Sequence, residues 1–285
     1  LGDFVTFDSF SAIDGLDMNA EFEITSITNS NSYVVTQTSN ASGSTSGGGG
    51  TGNINYQISI GPEASVYGYG WGIGTWNTGT WNTPRSTSTV TLDGRNWSFD
   101  NFGEDLIATV HKGGTFRWDT SAGLNTRATV ITQAPTNSRF NLVSMPDRHI
   151  FLFGTETTIA DSTTQDDLFL RFSSQEDFTT WTPTATNTAG SFRIQDGSKI
   201  VAAVRSRNAV LVWTDNSLHA LQFVGAPFTF SLVQLGANCG AVGVHSAVDI
   251  NGVAYWMSQN AFYLYDGTVK KLPCSVQDYV FEDFS

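Results

Sequence analysis

The chain has 285 residues, 40% apolar and 13% aromatic, enough for one large domain or two smaller ones. Charged residues make up only 14%, well below the usual quarter, and Ser, Thr, Asn and Gly supply the missing polarity. A net charge of −12 argues against a surface built to grip phosphate backbones, and no apolar run approaches the roughly 20 residues of a membrane-spanning helix.

Short strands are predicted from the start. Phe4-Val-Thr-Phe7, Glu21-Phe-Glu-Ile-Thr25 and Tyr33-Val-Val-Thr-Gln37 alternate or are β-branched. Ser39 to Gly52 is a Ser/Thr/Gly tract with nothing to bury, expected to be a mobile loop. Tyr56-Gln-Ile-Ser-Ile60 resumes the β pattern, so residues 1–60 read as a small β domain with a flexible hairpin tip. In Tyr67-Gly-Tyr-Gly-Trp-Gly-Ile-Gly-Thr-Trp76, glycines alternate with large residues. On a strand this puts all the bulk on one face. It is not a phosphate loop, because it has neither the GK[ST] ending nor GxGxxG spacing.

Beyond residue 90 a hairpin unit recurs. Leu106–Val110 turns into Thr115–Asp119, Gly252–Met257 turns into Ala261–Asp266, and Ile200–Val204, Ala209–Trp213 and Ser217–Gln222 follow one another. Each unit is strand, turn, strand, often closed by an aromatic-Asp pair, which favours propeller blades over a plain sandwich. The fold expected is all-β: a β-propeller over 61–285, not necessarily with a complete set of blades, plus the additional small β-barrel or sandwich domain. Ser275 to Phe284 reads as one short turn of helix. The chain begins at Leu1 without an initiator Met, shows no signal-peptide pattern and stops at Ser285, so a segment of a longer polypeptide is expected.

Candidate chemistry is sparse. His111, His149, His219 and His245 share no metal-ligand spacing, so satisfied or solvent-facing side chains are expected. Asp161, Asp166-Asp167 and Glu176-Asp177 lack the Gly-punctuated calcium loop and read as turn and capping residues. Cys239 and Cys274 are no disulfide framework; buried free thiols are the default reading, with a single bridge still open. Thr91-Leu-Asp-Gly-Arg-Asn-Trp97 and Asp177-Phe-Thr-Thr-Trp181 approach the Asp-box of glycosidase propellers. In that motif the Asp ties off a turn and the Trp packs between strands. The arginines are scattered and no GxSxG elbow occurs, so no catalytic, cofactor-binding or metal residues are assigned. Trp76, Trp81 and Trp97 are candidate sugar platforms for the alternative reading, a carbohydrate-active or glycan-binding propeller.

Several ordered segments carry a resemblance. They include Trp97–Ala108, Gly113–Asp119, Ala134-Pro135, Arg148–Gly154, Asp167–Asp177, Trp181–Pro183, Asn187–Gly190, Leu211–Asp215, Phe223–Phe230, Gly236–Gly240, Tyr255–Met257, Phe262–Gly267 and Leu272–Phe281. Together with Gly2–Phe7 they resemble the tail nozzle (tail tubular protein B) family of short-tailed bacteriophages. The resemblance implies a non-enzymatic virion protein, assembled in the host cytoplasm into the tail as a six-fold homo-oligomeric ring. Such a ring would contact the tail adaptor protein and the tail fibres. It would line the DNA ejection channel without binding the passing genome specifically, and without membrane insertion. It implies no cofactors. Acidic side chains are expected to face that channel, where they would not hold the passing polymer.

Overall fold

Nearly every regular element is a strand, and the residue pattern explains why: β-branched and aromatic residues fill short runs separated by Gly, Asn, Asp and Ser. The computed structural model describes residues 4–29, 31–44, 47, 52–57, 96–124, 126–145, 147–225 and 228–282. The chain divides into two units, Leu1–Gly94 and Arg95–Ser285. Residues 58–95 lie outside the described residues, and with them the alternating Gly-aromatic segment, Trp76, Trp81 and most of Thr91–Trp97.

The first unit holds β1 (Phe4–Asp8), β2 (Glu21–Asn29), β3 (Ser32–Val35) and β4 (Asn53–Gln57), in one antiparallel sheet ordered β3-β2-β1-β4. In β2 the Glu-Phe-Glu-Ile alternation does what it predicts: Phe22 and Ile24 are buried with Val5, while Glu21 and Glu23 face solvent. Phe7, Met18 and Val35 close this small core.

The second unit contains four sheets, each an antiparallel meander of four strands in sequence order. The first is β5 (Trp97–Phe102), β6 (Asp105–Val110), β7 (Thr115–Trp118) and β8 (Thr129–Val130). The second is β9 (Phe140–Val143), β10 (Ile150–Phe153), β11 (Phe169–Phe172) and β12 (Gly190–Arg193). The third is β13 (Ile200–Arg205), β14 (Val210–Thr214), β15 (Ser217–Gly225) and β16 (Thr229–Ala237). The fourth is β17 (Ala247–Ile250), β18 (Val253–Met257), β19 (Phe262–Tyr265) and β20 (Val269–Lys271), followed by the short helix α1 (Gln277–Glu282) where the sequence places one.

The sheets pack face to face in chain order. Ile107 of the first sheet meets Val143, Ile150 and Leu152 of the second, with Trp181 between them. Phe151, Phe153 and Phe172 of the second meet Val210, Val212 and Phe230 of the third. Leu211, Trp213 and Ala220 of the third meet Ala254 and Trp256 of the fourth. Strand periodicity of two sorts these residues: in Ile150-Phe-Leu-Phe153, alternate side chains enter different cores. A strand covered on both faces must be apolar throughout, and Val210-Leu-Val-Trp213 obeys the same rule.

The hairpin recurrence is real, with one difference of phase. The expected pairs are the second and third strands of their sheets: β6-β7, β14-β15 and β18-β19. Asp119 and Asp266, however, follow third strands, whereas Asp215 sits between a second and a third. The aromatic-Asp pair therefore marks strand ends, not one fixed place in the unit.

Candidate functional site

The first strands of the four sheets share one cavity of about 400 Å³. It is lined by Phe99 and Asp100 of β5, Asn141 and Leu142 of β9, Ala203 to Arg205 of β13, and Ala247 to Asp249 of β17. Meanders that all present their first strand to the same place bring residues from distant parts of the chain together.

Polar groups around this cavity form a clasp that crosses all four sheets. Ser98 Oγ donates to Asn141 Oδ1 at 2.6 Å, and Asn141 Nδ2 donates to the Ile107 carbonyl at 3.2 Å. The Val143 amide donates to Asp100 Oδ2 at 2.7 Å. Arg205 Nη1 reaches both Asp100 oxygens at 2.9 Å and the Val143 carbonyl at 3.0 Å. Ser206 Oγ donates to Asp249 Oδ2 at 2.7 Å, and the Gly252 amide caps Asp249 Oδ1 at 2.9 Å. Asp100 and Asp249 thus have protein donors on their oxygens, and one guanidinium touches two other sheets. Charge-assisted bonds of this kind exceed neutral ones in strength, and the half-buried setting reduces screening.

Of the carboxylates singled out in the sequence, Asp161, Asp166 and Asp177 accept from amides two residues on and so serve turns, while Asp167 and Glu176 are tied to distant arginines. Asp161 accepts from the Thr163 amide at 3.1 Å and caps the 3-10 turn Ser162–Thr164. Asp166 pairs with Arg193, Asp167 with Arg139, and Glu176 with Arg148. Asp177 accepts from Thr179 N at 2.7 Å and Thr179 Oγ1 at 2.6 Å. Partial burial pushes its carboxyl up, but the Thr179 and Thr180 hydroxyls and amides outweigh this and hold it below the ordinary carboxylate range. Trp181, four residues on, is buried between the first two sheets and donates Nε1 to the Phe178 carbonyl at 2.8 Å. Turn-tying Asp and packed Trp is the arrangement of an Asp-box without its glycine.

The histidines differ in part from the expectation. His149 is fully buried among Phe172, Phe223 and Phe230, with Nδ1 against the Ser173 carbonyl at 2.8 Å and no partner for Nε2. Burial pushes its imidazole pKa down, against smaller upward effects from the Ser173 carbonyl and Asp147. His219 is likewise buried, its Nδ1 lacks a partner, and burial lowers its pKa against the pull of Asp196. Both are neutral core groups with one unsatisfied nitrogen, not satisfied or solvent-facing ones. Cys239 and Cys274 are free thiols; Cys239 is buried, and burial raises its pKa. Among the described residues no group of three or more His, Cys, Asp or Glu could hold a metal ion.

Segments that carry the family resemblance supply packing and turns. In Asp167–Asp177, Arg171 is buried and donates to the Trp181 carbonyl at 3.3 Å and the Thr157 carbonyl at 2.8 Å. In Asn187–Gly190, a Cβ on Gly190 would sit 2.3 Å from the Phe172 ring. In Gly236–Gly240, a Cβ on Gly240 would lie 2.2 Å from the Asp215 carbonyl carbon, so only glycine lets these backbones meet.

Sequence reasoning passed over Asp100, Asn141, Arg205 and Asp249. Asp100 and Arg205 stand 105 positions apart, and no local motif links them. No protein-family model matches the chain, and no curated protein matches it. The fold and site define an all-β protein of stacked four-stranded sheets, clasped where their first strands meet.

Proposed function

We propose that the chain is a structural, non-enzymatic β-propeller subunit of a short-tailed bacteriophage tail. In this reading the four stacked meanders are propeller blades, and the cavity along their first strands lies on the propeller axis. The observation that carries the reading is the clasp: the cavity's carboxylates and guanidinium are bound to one another, to backbone or to the Ser206 hydroxyl, which suits a scaffold better than a substrate site. The described parts of the segments that resemble the nozzle family lie on strands, their turns and the C-terminal helix, and support packing. The chain would form a six-fold nozzle ring, contact the adaptor and fibres, and line the ejection channel. Its low charge and aromatic richness suit large contact faces.

Negative-stain microscopy of the recombinant protein and of the purified virion tests this reading. A six-fold ring and a matching density at the tail tip are expected; absence of the protein from virions overturns it. Release of sugar from host polysaccharide, lost on mutating a carboxylate, would instead establish the glycan reading. Trp97, the described residue among its three platforms, stacks on Phe99 at 6.1 Å within its own sheet.

A further inference from the structure

The outer edges of the four meanders differ in how they are guarded. β8 is two residues long, β12 is four and ends on Arg193, and β20 is Val269-Lys-Lys271. Short strands and cationic side chains keep a sheet edge from pairing with another chain. β16 has neither guard. It runs for nine residues, Thr229–Ala237, without a charged side chain, and β15 is its one strand partner among the described residues. Register shifts at Phe223/Gly225 and Leu218/His219 bound a regular run from Phe230 to Gln234. In that run Phe230, Leu232 and Gln234 point to one side, Ser231 and Val233 to the other. Leu232 packs on the core between the second and third sheets, whereas Val233 is 47% exposed. Alternate residues of an edge strand turn their N–H and C=O groups outward, ready for a further strand.

We infer that β16 is a docking edge, and that an extended, uncharged segment of a different protein adds to it as a fifth strand. A row of backbone donors and acceptors at strand spacing is matched by another extended backbone, which sets the class of ligand. The flanking side chains set its composition. A strand laid on Phe230–Gln234 places alternate side chains beside Leu232 and Val233, so apolar and β-branched residues suit it. Second copies of this chain make poor occupants. The other outer strands of the unit have four residues or fewer, too short to match β16 across copies. Pairing of β16 with β16 of another copy needs a two-fold axis, which a six-fold cyclic ring lacks. That last exclusion rests on the ring reading above; the open edge does not.

The test uses a labelled nine-residue peptide with the sequence of Ser217–Gly225, which already complements β16 in register. It should bind the whole chain saturably and slow amide hydrogen exchange within Phe230–Gln234. Two further versions carry N-methyl groups on alternate residues, one set odd and the other even. Only one edge of the peptide faces β16, so one version should lose binding and the other keep it. Val233→Lys should weaken binding about tenfold or more with an unchanged far-UV spectrum. Exchange that does not slow at Phe230–Gln234, or binding by both methylated versions, overturns the inference. Full affinity in Val233→Lys does so too. If exchange there is already slow in a six-fold ring without peptide, a second copy holds the edge; the inference falls and the nozzle reading stands. A two-fold dimer closed through β16 overturns the inference and the six-fold reading together. A chain that binds the peptide in this mode but forms no ring upholds the docking edge and removes the six-fold reading alone.

Discussion

The inner and outer sheets of the second unit are built from the same meander yet differ in kind. In β10 and β14 every residue is buried, because each strand feeds two cores. In β17 and β18 burial alternates or is partial, because only one side is covered. The same topology thus yields a doubly covered centre and, in the fourth sheet, strands covered on one side. Placement in the stack, not strand type, decides how much each residue contributes.

The largest effect that would break this comparison lies in the centre. Phe151→Ala removes a ring packed on Phe172 and Phe230, and should lower the unfolding free energy by about 3–5 kcal/mol in denaturant titration. If it costs no more than a surface change, the inner sheets are not the core described. Next is the clasp: Asp100→Ala leaves the Val143 amide without its acceptor and Arg205 with only the Val143 carbonyl, at a cost of about 1–3 kcal/mol. Amide exchange at Val143 should speed up in that variant. The cost should shrink if Arg205 is already replaced by Met, because the two residues share one interaction.

Acid provides a third, smaller test, aimed at the seam between the second and third sheets. His149 contacts Phe230 there, and His219 points to the same side of β15 as Leu221 of that core. Both have folded pKa values lowered by burial, so the unfolded chain binds their protons first, near pH 6.5. Stability should be full above about pH 6.5 and fall as pH drops below it. The slope should flatten in His149→Phe and His219→Phe; an unchanged slope would show that these imidazoles do not titrate with unfolding. The smallest effect belongs to the outer face. Val130→Thr should change stability by only about 0.5 kcal/mol or less when measured at nanomolar concentration.

Much of this was legible in the residues. The Glu21–Thr25 alternation, the Asp177 turn with its Trp181 and the helix after Ser275 follow from local pattern. The all-apolar runs Ile150–Phe153 and Val210–Trp213 carry a signal of two-sided burial that periodicity alone assigns to no partner. The clasp was not legible. Asp100, Asn141, Arg205 and Asp249 are unremarkable in their own segments, and become a set only when four first strands converge. His149 gave no sign of its aromatic enclosure, because Phe223 and Phe230 come from a hairpin more than seventy residues later.

By itself, the sequence determined that the chain folds as short antiparallel strands, where they turn, and that Asp161, Asp166 and Asp177 serve those turns. Those outcomes depend on steric preference and on hydrogen bonds within a few residues, which local composition controls. Only the tertiary structure decided which faces are covered, which polar groups meet at the cavity, and which strand edge stays open. Those depend on packing between segments far apart in the chain, where register and stacking order, not local preference, set each neighbour.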